Sequence, residues 1–377
     1  MFKEVLDRSR ALPWKIGNKV LPCSSPLIMG IVNVTPDSFF DGGKHNKPDA
    51  AYEHALMLLE QGAEILDIGG ESSRPGSAPV SLQEELDRVC PVVERLAALA
   101  KEREFYISVD TVKAKVAAET MRLGAHIIND ISACTMDKDM LQTVADTKAA
   151  VVLNHIRGNF GTMQQDFKPY TNVVQEVREE LLAQVQKLLD LGVEREKICV
   201  DPGIGFGKTA QDNIDLMKST EEFLKDGYPV LIGTSRKSYI GKMPGLETSD
   251  RLIPTVTAGI VAVLGGASCI RVHDVKEAKE SLLYLEALRN GPVYTIRNNR
   301  CPHGRYLGCT PHIHHYLLHL LAVPRHSRRP DDFWRIAFDS CLDYRSVVGT
   351  SHRRVAYQQP SDPWYYRPRD PFPARNP

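Results

Sequence analysis

The sequence predicts an α/β protein built as a (β/α)8 barrel, on three observations. From Leu27 onward, short apolar runs rich in β-branched residues alternate with longer amphipathic runs; eight such units can be counted; and each apolar run ends in polar residues. The alternation is that of βα units and a parallel sheet. An open doubly wound sheet would share it, but no glycine-rich dinucleotide fingerprint follows the first strand, and eight units favour closure.

The strand candidates, in order, are LIMGIVNV (27–34), ILDIGG (65–70), YISVDT (106–111), HIINDI (126–131), AVVLNH (150–155), ICVDPG (198–203), VLIGTS (230–235) and CIRVHD (269–274). They lack strict polar alternation, as expected of strands covered on both faces. Between them lie helical runs such as EELDRVCPVVERLAALAKE and VQEVREELLAQVQKLLDLG, with apolar residues recurring at three and four. Several runs end near a glycine, at Gly62, Gly124 and Gly192, the usual left-handed helix stop.

The polar strand ends carry the functional signal. They are Asn33, Gly70-Glu71, Asp110, Asn129-Asp130, Asn154-His155, Asp201, Ser235-Arg236-Lys237 and Arg271-His273-Asp274. In a barrel all eight ends meet on one rim, which is the active face. Any single Asp or Asn there reads equally well as a helix cap. Eight together are harder to dismiss.

Composition sets the outer bounds. Of 377 residues, 42% are hydrophobic and 25% charged, which is ordinary for a globular protein, and one barrel of roughly 250 residues uses most of the chain. The N-terminus, MFKEVLDRSR, is charged, and no apolar run approaches the roughly 18 residues needed to span a bilayer. The expectation is a cytoplasmic protein with no membrane partner. Cys23, Cys90, Cys134, Cys199 and Cys269 show no metal-ligand spacing and read as reduced thiols.

A formal charge of zero hides an asymmetry: residues 1–291 carry 34 Lys+Arg against 41 Asp+Glu, and residues 292–377 carry 13 against 6. All thirteen bases of the second stretch are Arg, and it holds 11 of the 24 prolines. Three segments follow: a lead-in over 1–26, the barrel over 27–291, and an Arg/Pro/His-rich tail over 292–377 expected to be poorly ordered. Within the tail, Cys301, His303, Cys309, His312 and His314 fit no standard zinc spacing, and its arginines form no nucleic-acid motif.

Two kinds of rim residue suggest two kinds of ligand group. Arg271, His273 and Lys237 are donors clustered on the last strands, where barrels often bind phosphate, and they suit a diphosphate. Asp110, Asn129 and Asp201 present carboxylate and amide edges able to read a nitrogen heterocycle. A ring of ion pairs joining these acids to these bases is the competing reading. The loops 34–46 and 71–80 are candidate lids, and DPGIGFGKT brings three glycines and Phe206 to the rim without Walker spacing. Lys237 as a Schiff-base lysine is disfavoured by its neighbours Arg236 and Ser238, which make an ion-binding turn.

Seven motifs in order, NVTPDSFFDGG, DIGGESSRPG, SVDT, IINDIS, DPGIGFGKT, GTSRKSYIG and RVHDV, give residues 27 to about 290 a close resemblance to the dihydropteroate synthase family of pterin-binding barrels. The resemblance implies a transferase of folate biosynthesis that joins a pterin diphosphate to p-aminobenzoate by dissociative substitution. It implies that Asp110, Asn129, Asp201 and Lys237 hold the pterin. Asn33, Arg271 and His273 would engage the diphosphate, with Asn33 near Mg²⁺, and Ser73, Pro75, Phe206 and Ser238 would form the p-aminobenzoate pocket. Asp41, Asp110 and Lys237 would be catalytic. Family barrels commonly pair as homodimers through outer helices, and they are sulfonamide targets.

The sequence departs from the family at three places. Asn154 stands where an apolar residue is common, Phe40 where a small polar one is, and Ser73 where Thr is. The last two raise the expectation of altered sulfonamide sensitivity. Two other readings stay open: a pterin-binding methyltransferase domain, and a non-catalytic pterin-binding homologue.

Overall fold

A computed structural model describes residues 11–23, 25–34, 47–72, 78–158, 169–242, 245, 247 and 250–290. Expectations about residues 292–377, and about the lid residues Phe40, Asp41, Ser73 and Pro75, lie outside the described residues.

Ten strands are described. A hairpin of β1 (Trp14–Ile16) and β2 (Lys19–Leu21) precedes β3 (Leu27–Asn33), β4 (Ile65–Gly69), β5 (Tyr106–Asp110), β6 (Ile127–Asp130), β7 (Ala150–Asn154), β8 (Ile198–Asp201), β9 (Leu231–Ile232) and β10 (Cys269–Val272). The last eight pair in parallel in the order β8-β7-β6-β5-β4-β3-β10-β9. A parallel bridge between Val200 and Val230, with Val200 N–H donating to Pro229 O at 3.0 Å, brings β8 to β9 and rounds off the barrel. The eightfold barrel expected from the sequence is the fold.

Helices lie between the strands: α1 (Lys47–Gln61), α2 (Leu82–Leu99), α3 (Ala114–Leu123), α4 (Met140–Thr147), α5 (Val173–Asp190), α6 (Ala210–Lys218), α7 (Thr220–Leu224), α8 (Ser238–Lys242), α9 (Leu252–Leu264) and α10 (Val275–Asn290). Their starts are chemically marked. Ser81 caps α2 by accepting from Glu84 N–H, Asn172 caps α5 through Gln175 N–H, and Thr209 forms a reciprocal capping box with Asp212 on α6. Gly124 ends α3 at φ 112°, a left-handed conformation in which a side chain would be strained.

Strand alternation sorts the core into two kinds. Ile28, Val32, Leu66, Ile68, Ile107 and Val109 point outward and pack with helix residues such as Leu58, Val92 and Leu285. Met29, Ile65, Tyr106, Ile127, Ala150, Val152, Cys199, Leu231 and Cys269 point inward and pack with Trp14 and Ile16. The hairpin therefore stoppers the N-terminal end of the barrel, and its Trp14 indole N–H donates to Lys197 O at 3.0 Å. Trp14 and Ile16 of the lead-in are thus part of the core.

One strand is shorter than expected. The run 230–235 yields only Leu231–Ile232, because Gly233 and Thr234 leave the ladder for the turn in which Lys237 N–H donates to Thr234 O. The five described barrel-region cysteines are free, and four of them are buried.

Candidate active site at the barrel mouth

The same alternation decides which strand ends face the mouth. Asn33, Gly69, Asp110 and Asn129 stand side by side as successive register partners on β3 to β6, and Asn154 is the partner of Asp201 on β7 and β8. All six lie on the inward parity of their strands. Arg271 shares that parity on β10, two residues above inward Cys269. Gly69 and Gly233 leave the wall open. A Cβ at Gly69 would stand 3.6 Å from Asp110 Cβ and 3.9 Å from Asn33 Oδ1; one at Gly233 would stand 3.8 Å from Asp201 Oδ2. Any side chain there would fill the space between the polar groups.

Asp130 belongs elsewhere. One residue beyond Asn129, it shares the outward side of Ile128 and is buried, its Oδ1 accepting from Ser132 N–H at 2.7 Å and Ser132 O–H at 2.6 Å. Burial pushes its carboxyl up to about 6. It organises the β6 turn and does not face the mouth. Glu71, also among the strand ends, accepts from Lys113 at 2.6 Å and from Val80 N–H at 2.9 Å, which ties down the exit of the second loop.

At the centre, Arg271 donates through Nε to Asp67 Oδ2 and through Nη2 to Asp110 Oδ2, both at 2.6 Å. Ion pairing of mouth acids with a mouth base, the competing reading of the sequence, is therefore present, but it is a partly buried cluster anchored on the fully buried Asp67 and not a surface ring. Asp67 is the residue sequence reasoning missed. It sits inside the run ILDIGG, fully buried, and also accepts from Asn129 Nδ2 at 3.0 Å. The signal available was a charge in mid-strand at inward parity.

Two carboxylates compete for one guanidinium. Burial is the largest influence on Asp110 and pushes it up to about 7, against the pull of Arg271 and with the repulsion of Asp67. Arg271 is itself moved upward: burial opposes its charge, and Asp67 and Asp110 more than compensate. Asp201 is raised by burial, opposed by Lys237 and by the Gly203 N–H that it accepts at 2.7 Å.

Lys237 closes the other side. Its Nζ lies 4.1 Å from the Phe206 ring centroid and donates to Ile204 O. Burial lowers it to about 8, with Asp201 as the strongest opposing charge. The glycine-rich loop fits against it only because Gly205, at φ +84°, has no Cβ; one would stand 2.9 Å from Lys237 Cδ. Beneath that loop, Lys208 donates to His155 Nδ1 at 2.9 Å and to the carbonyls of Gly203 and Phe206 at 3.0 and 3.1 Å. His155 meets Glu180 at 2.8 Å through its other nitrogen. Lys208 and His155 thus brace the loop.

On the last strands, Ser235 Oγ accepts from His273 N–H at 3.1 Å and lies 2.9 Å from His273 Nδ1. Arg236, at φ 55°, is committed to Asp274. Asn154 donates its amide to Ile131 O at 2.9 Å. Ser238 starts α8 and is exposed. Among the described residues no group of three or more His, Cys, Asp and Glu could hold a metal ion.

Comparison with known proteins agrees with this geometry. The pterin binding enzyme family matches residues 29–273. A dihydropteroate synthase of Escherichia coli K12 is 45% identical over 267 residues, which span 71% of this chain and 93% of that one. The chain belongs to the dihydropteroate synthase family. Among solved structures, Xanthomonas albilineans dihydropteroate synthase with 4-aminobenzoic acid superposes at TM-score 0.69 with 39% identity, covering 75% of this chain and 100% of that one. The same enzyme in complex with 7,8-dihydropteroate superposes at 0.66 with 38% identity, covering 74% and 100%. Family membership spans the barrel and its mouth, and makes the chain a transferase of folate synthesis.

Proposed function

We propose that the barrel mouth condenses 6-hydroxymethyl-7,8-dihydropterin diphosphate with p-aminobenzoate to give 7,8-dihydropteroate and diphosphate. The observation that carries this reading is the partly buried cluster of Arg271 with Asp67 and Asp110, flanked by Asn129, Asp201 and Lys237. It supplies fixed acceptors on one side of the mouth and cations on the other.

In this reading Asp110, Asn129, Asp201 and Lys237 hold the pterin, and Asn33, Arg271 and His273 engage the diphosphate. Phe206 and Ser238, with the lid residues Ser73 and Pro75, form the p-aminobenzoate pocket. The bond from the pterin methylene to the diphosphate oxygen breaks, and its electron pair leaves with oxygen. Asp110, together with Asp41 of the first lid, stabilises the pterin cation, and Arg271 and Lys237 stabilise the charge that departs. The amine lone pair of p-aminobenzoate then forms the C–N bond, and the nitrogen loses a proton. Excluding water until that point prevents capture of the cation as the alcohol.

Magnesium fits the donor set in one way. Asn33 offers a single neutral oxygen at the mouth with no acidic cage around it among the described residues, which suits an ion held mostly by diphosphate oxygens and water. Bound there, Mg²⁺ would neutralise charge on the leaving diphosphate.

No described helix is long and apolar enough to cross a membrane. Homodimerisation through outer helices is supported by the exposed Ile253 and Val261 of α9 and Leu283, Tyr284 and Leu288 of α10. Sedimentation should then give twice the mass of one chain.

The test of function is release of diphosphate by the purified chain. Release that depends on p-aminobenzoate is expected. No release, or a requirement for a corrinoid partner, would contradict the reading and favour the non-catalytic or methyltransferase alternatives respectively.

A further inference from the structure

We propose that Asp67 is the positioning residue of the mouth: its carboxylate fixes which edge of Asn129 and which edge of Arg271 an incoming heterocycle meets. This deepens the proposed function and rests on it.

Asp67 Oδ2 accepts from Asn129 Nδ2 at 3.0 Å and from Arg271 Nε at 2.6 Å, so residues of β6 and β10 are joined through β4. A carboxylate paired with a guanidinium only accepts. The Asn129 amide must therefore turn its NH2 toward Asp67, and its carbonyl oxygen becomes the atom it can offer a ligand. An incoming heterocycle has to bring an N–H there.

The same oxygen divides the work of Arg271. Nε is held by Asp67, while Nη2 is held by Asp110, the acid nearer the rim. When Asp110 turns to a ligand, Arg271 keeps its Nε anchor and does not leave the mouth. Asp67 itself is shielded from direct contact, being fully buried with its side chain inaccessible.

The rest of the carboxylate is not part of a saturated structural network. Among the described residues, Asp67 Oδ1 is buried with no hydrogen-bond partner, and so is the Oγ of Ser108, its register neighbour on β5. A buried acid kept for packing would have both oxygens satisfied. Here the partnered oxygen is the one that orients the two ligand-facing side chains.

Kinetics on the full chain with both substrates varied tests this. Loss of two charge-assisted bonds in Asp67→Ala should raise KM for the pterin diphosphate roughly 100-fold and leave KM for p-aminobenzoate within about twofold. Asp67→Asn keeps an acceptor in the Oδ2 position and should recover at least about tenfold of that loss. A purely structural role would move both KM values together or neither, and either result overturns the proposal.

Should Asp67→Ala not fold, a polarity swap decides. Asn129→Asp alone places two carboxylates face to face, whereas Asp67→Asn with Asn129→Asp restores a donor and an acceptor in exchanged positions. Calorimetric affinity for pterin should be at least about tenfold better in the double variant than in Asn129→Asp alone. A double variant no better than the single one refutes the proposal. Because pterin binding needs no turnover, this outcome is separate from failure of the condensation itself, which would be seen as an inactive wild type.

Discussion

The two halves of the barrel interior are built on opposite principles. At the N-terminal end, Met29, Ile65, Tyr106, Ile127, Cys199, Leu231 and Cys269 close over Trp14 and Ile16. At the C-terminal end, the inward positions of the same strands are Asn33, Asp110, Asn129, Asn154, Asp201 and Arg271, with glycine at 69 and 233. The apolar half gains stability by excluding water, and the polar half keeps buried charges that no folding argument requires. A barrel can carry such a mouth because its stability is supplied elsewhere. The contrast therefore says that substitutions above and below should separate activity from stability.

The largest effect is expected above. Asp110→Asn should lower kcat/KM by roughly a thousandfold or more, the scale of losing a group that stabilises developing charge. Thermal stability should be unchanged or higher, because one of two acids competing for Arg271 becomes neutral. Steady-state kinetics beside thermal denaturation would check both. A variant that unfolds would place Asp110 with the structural half.

Below, Trp14→Ala should cost about 3–5 kcal/mol of stability by opening a cavity under the barrel floor. Denaturant unfolding measures this, and both KM values should stay within about twofold of wild type, since the change removes no ligand contact. Large KM changes at full folding would show that the two halves are coupled.

The pH profile is a finer test. Asp110, raised to about 7, gains a proton below that value and can no longer stabilise a cation; Lys237, lowered to about 8, loses its charge above that. The kcat/KM profile, which reports the free enzyme, should therefore be a narrow bell between these limbs. In Lys237→Arg, which cannot deprotonate in this range, the basic limb should move to higher pH. Its persistence would assign the limb to another group.

The smallest effect is expected from truncation after Gly291, which should leave kcat within about twofold because the family match ends at residue 273 and α10 at Asn290. An inactive, folded truncate would bring the Arg-rich segment into the account.

Much of this was legible in the sequence, and particular residues show where legibility stopped. Eight apolar runs ending in polar residues predicted the barrel and put Asp110, Asn129, Asp201 and Arg271 on its rim. What the runs could not give was parity. Asn129 and Asp130 are adjacent and chemically alike, yet a period of two sends one into the mouth and the other toward the helices. Asp67 lies two residues short of its strand end, so the rule that polar strand ends mark the mouth does not reach it, although its inward parity carries the same information. The short motif WKI gave no sign that Trp14 and Ile16 stopper the barrel, since that contact depends on eight distant strands.

The most direct measurement is product formation by the full chain supplied with both substrates, followed by mass spectrometry together with diphosphate release. The expected result is one 7,8-dihydropteroate for each diphosphate released, with both lost in Asp110→Asn at unchanged or higher thermal stability. Diphosphate released without dihydropteroate, or undiminished product from Asp110→Asn, would contradict it.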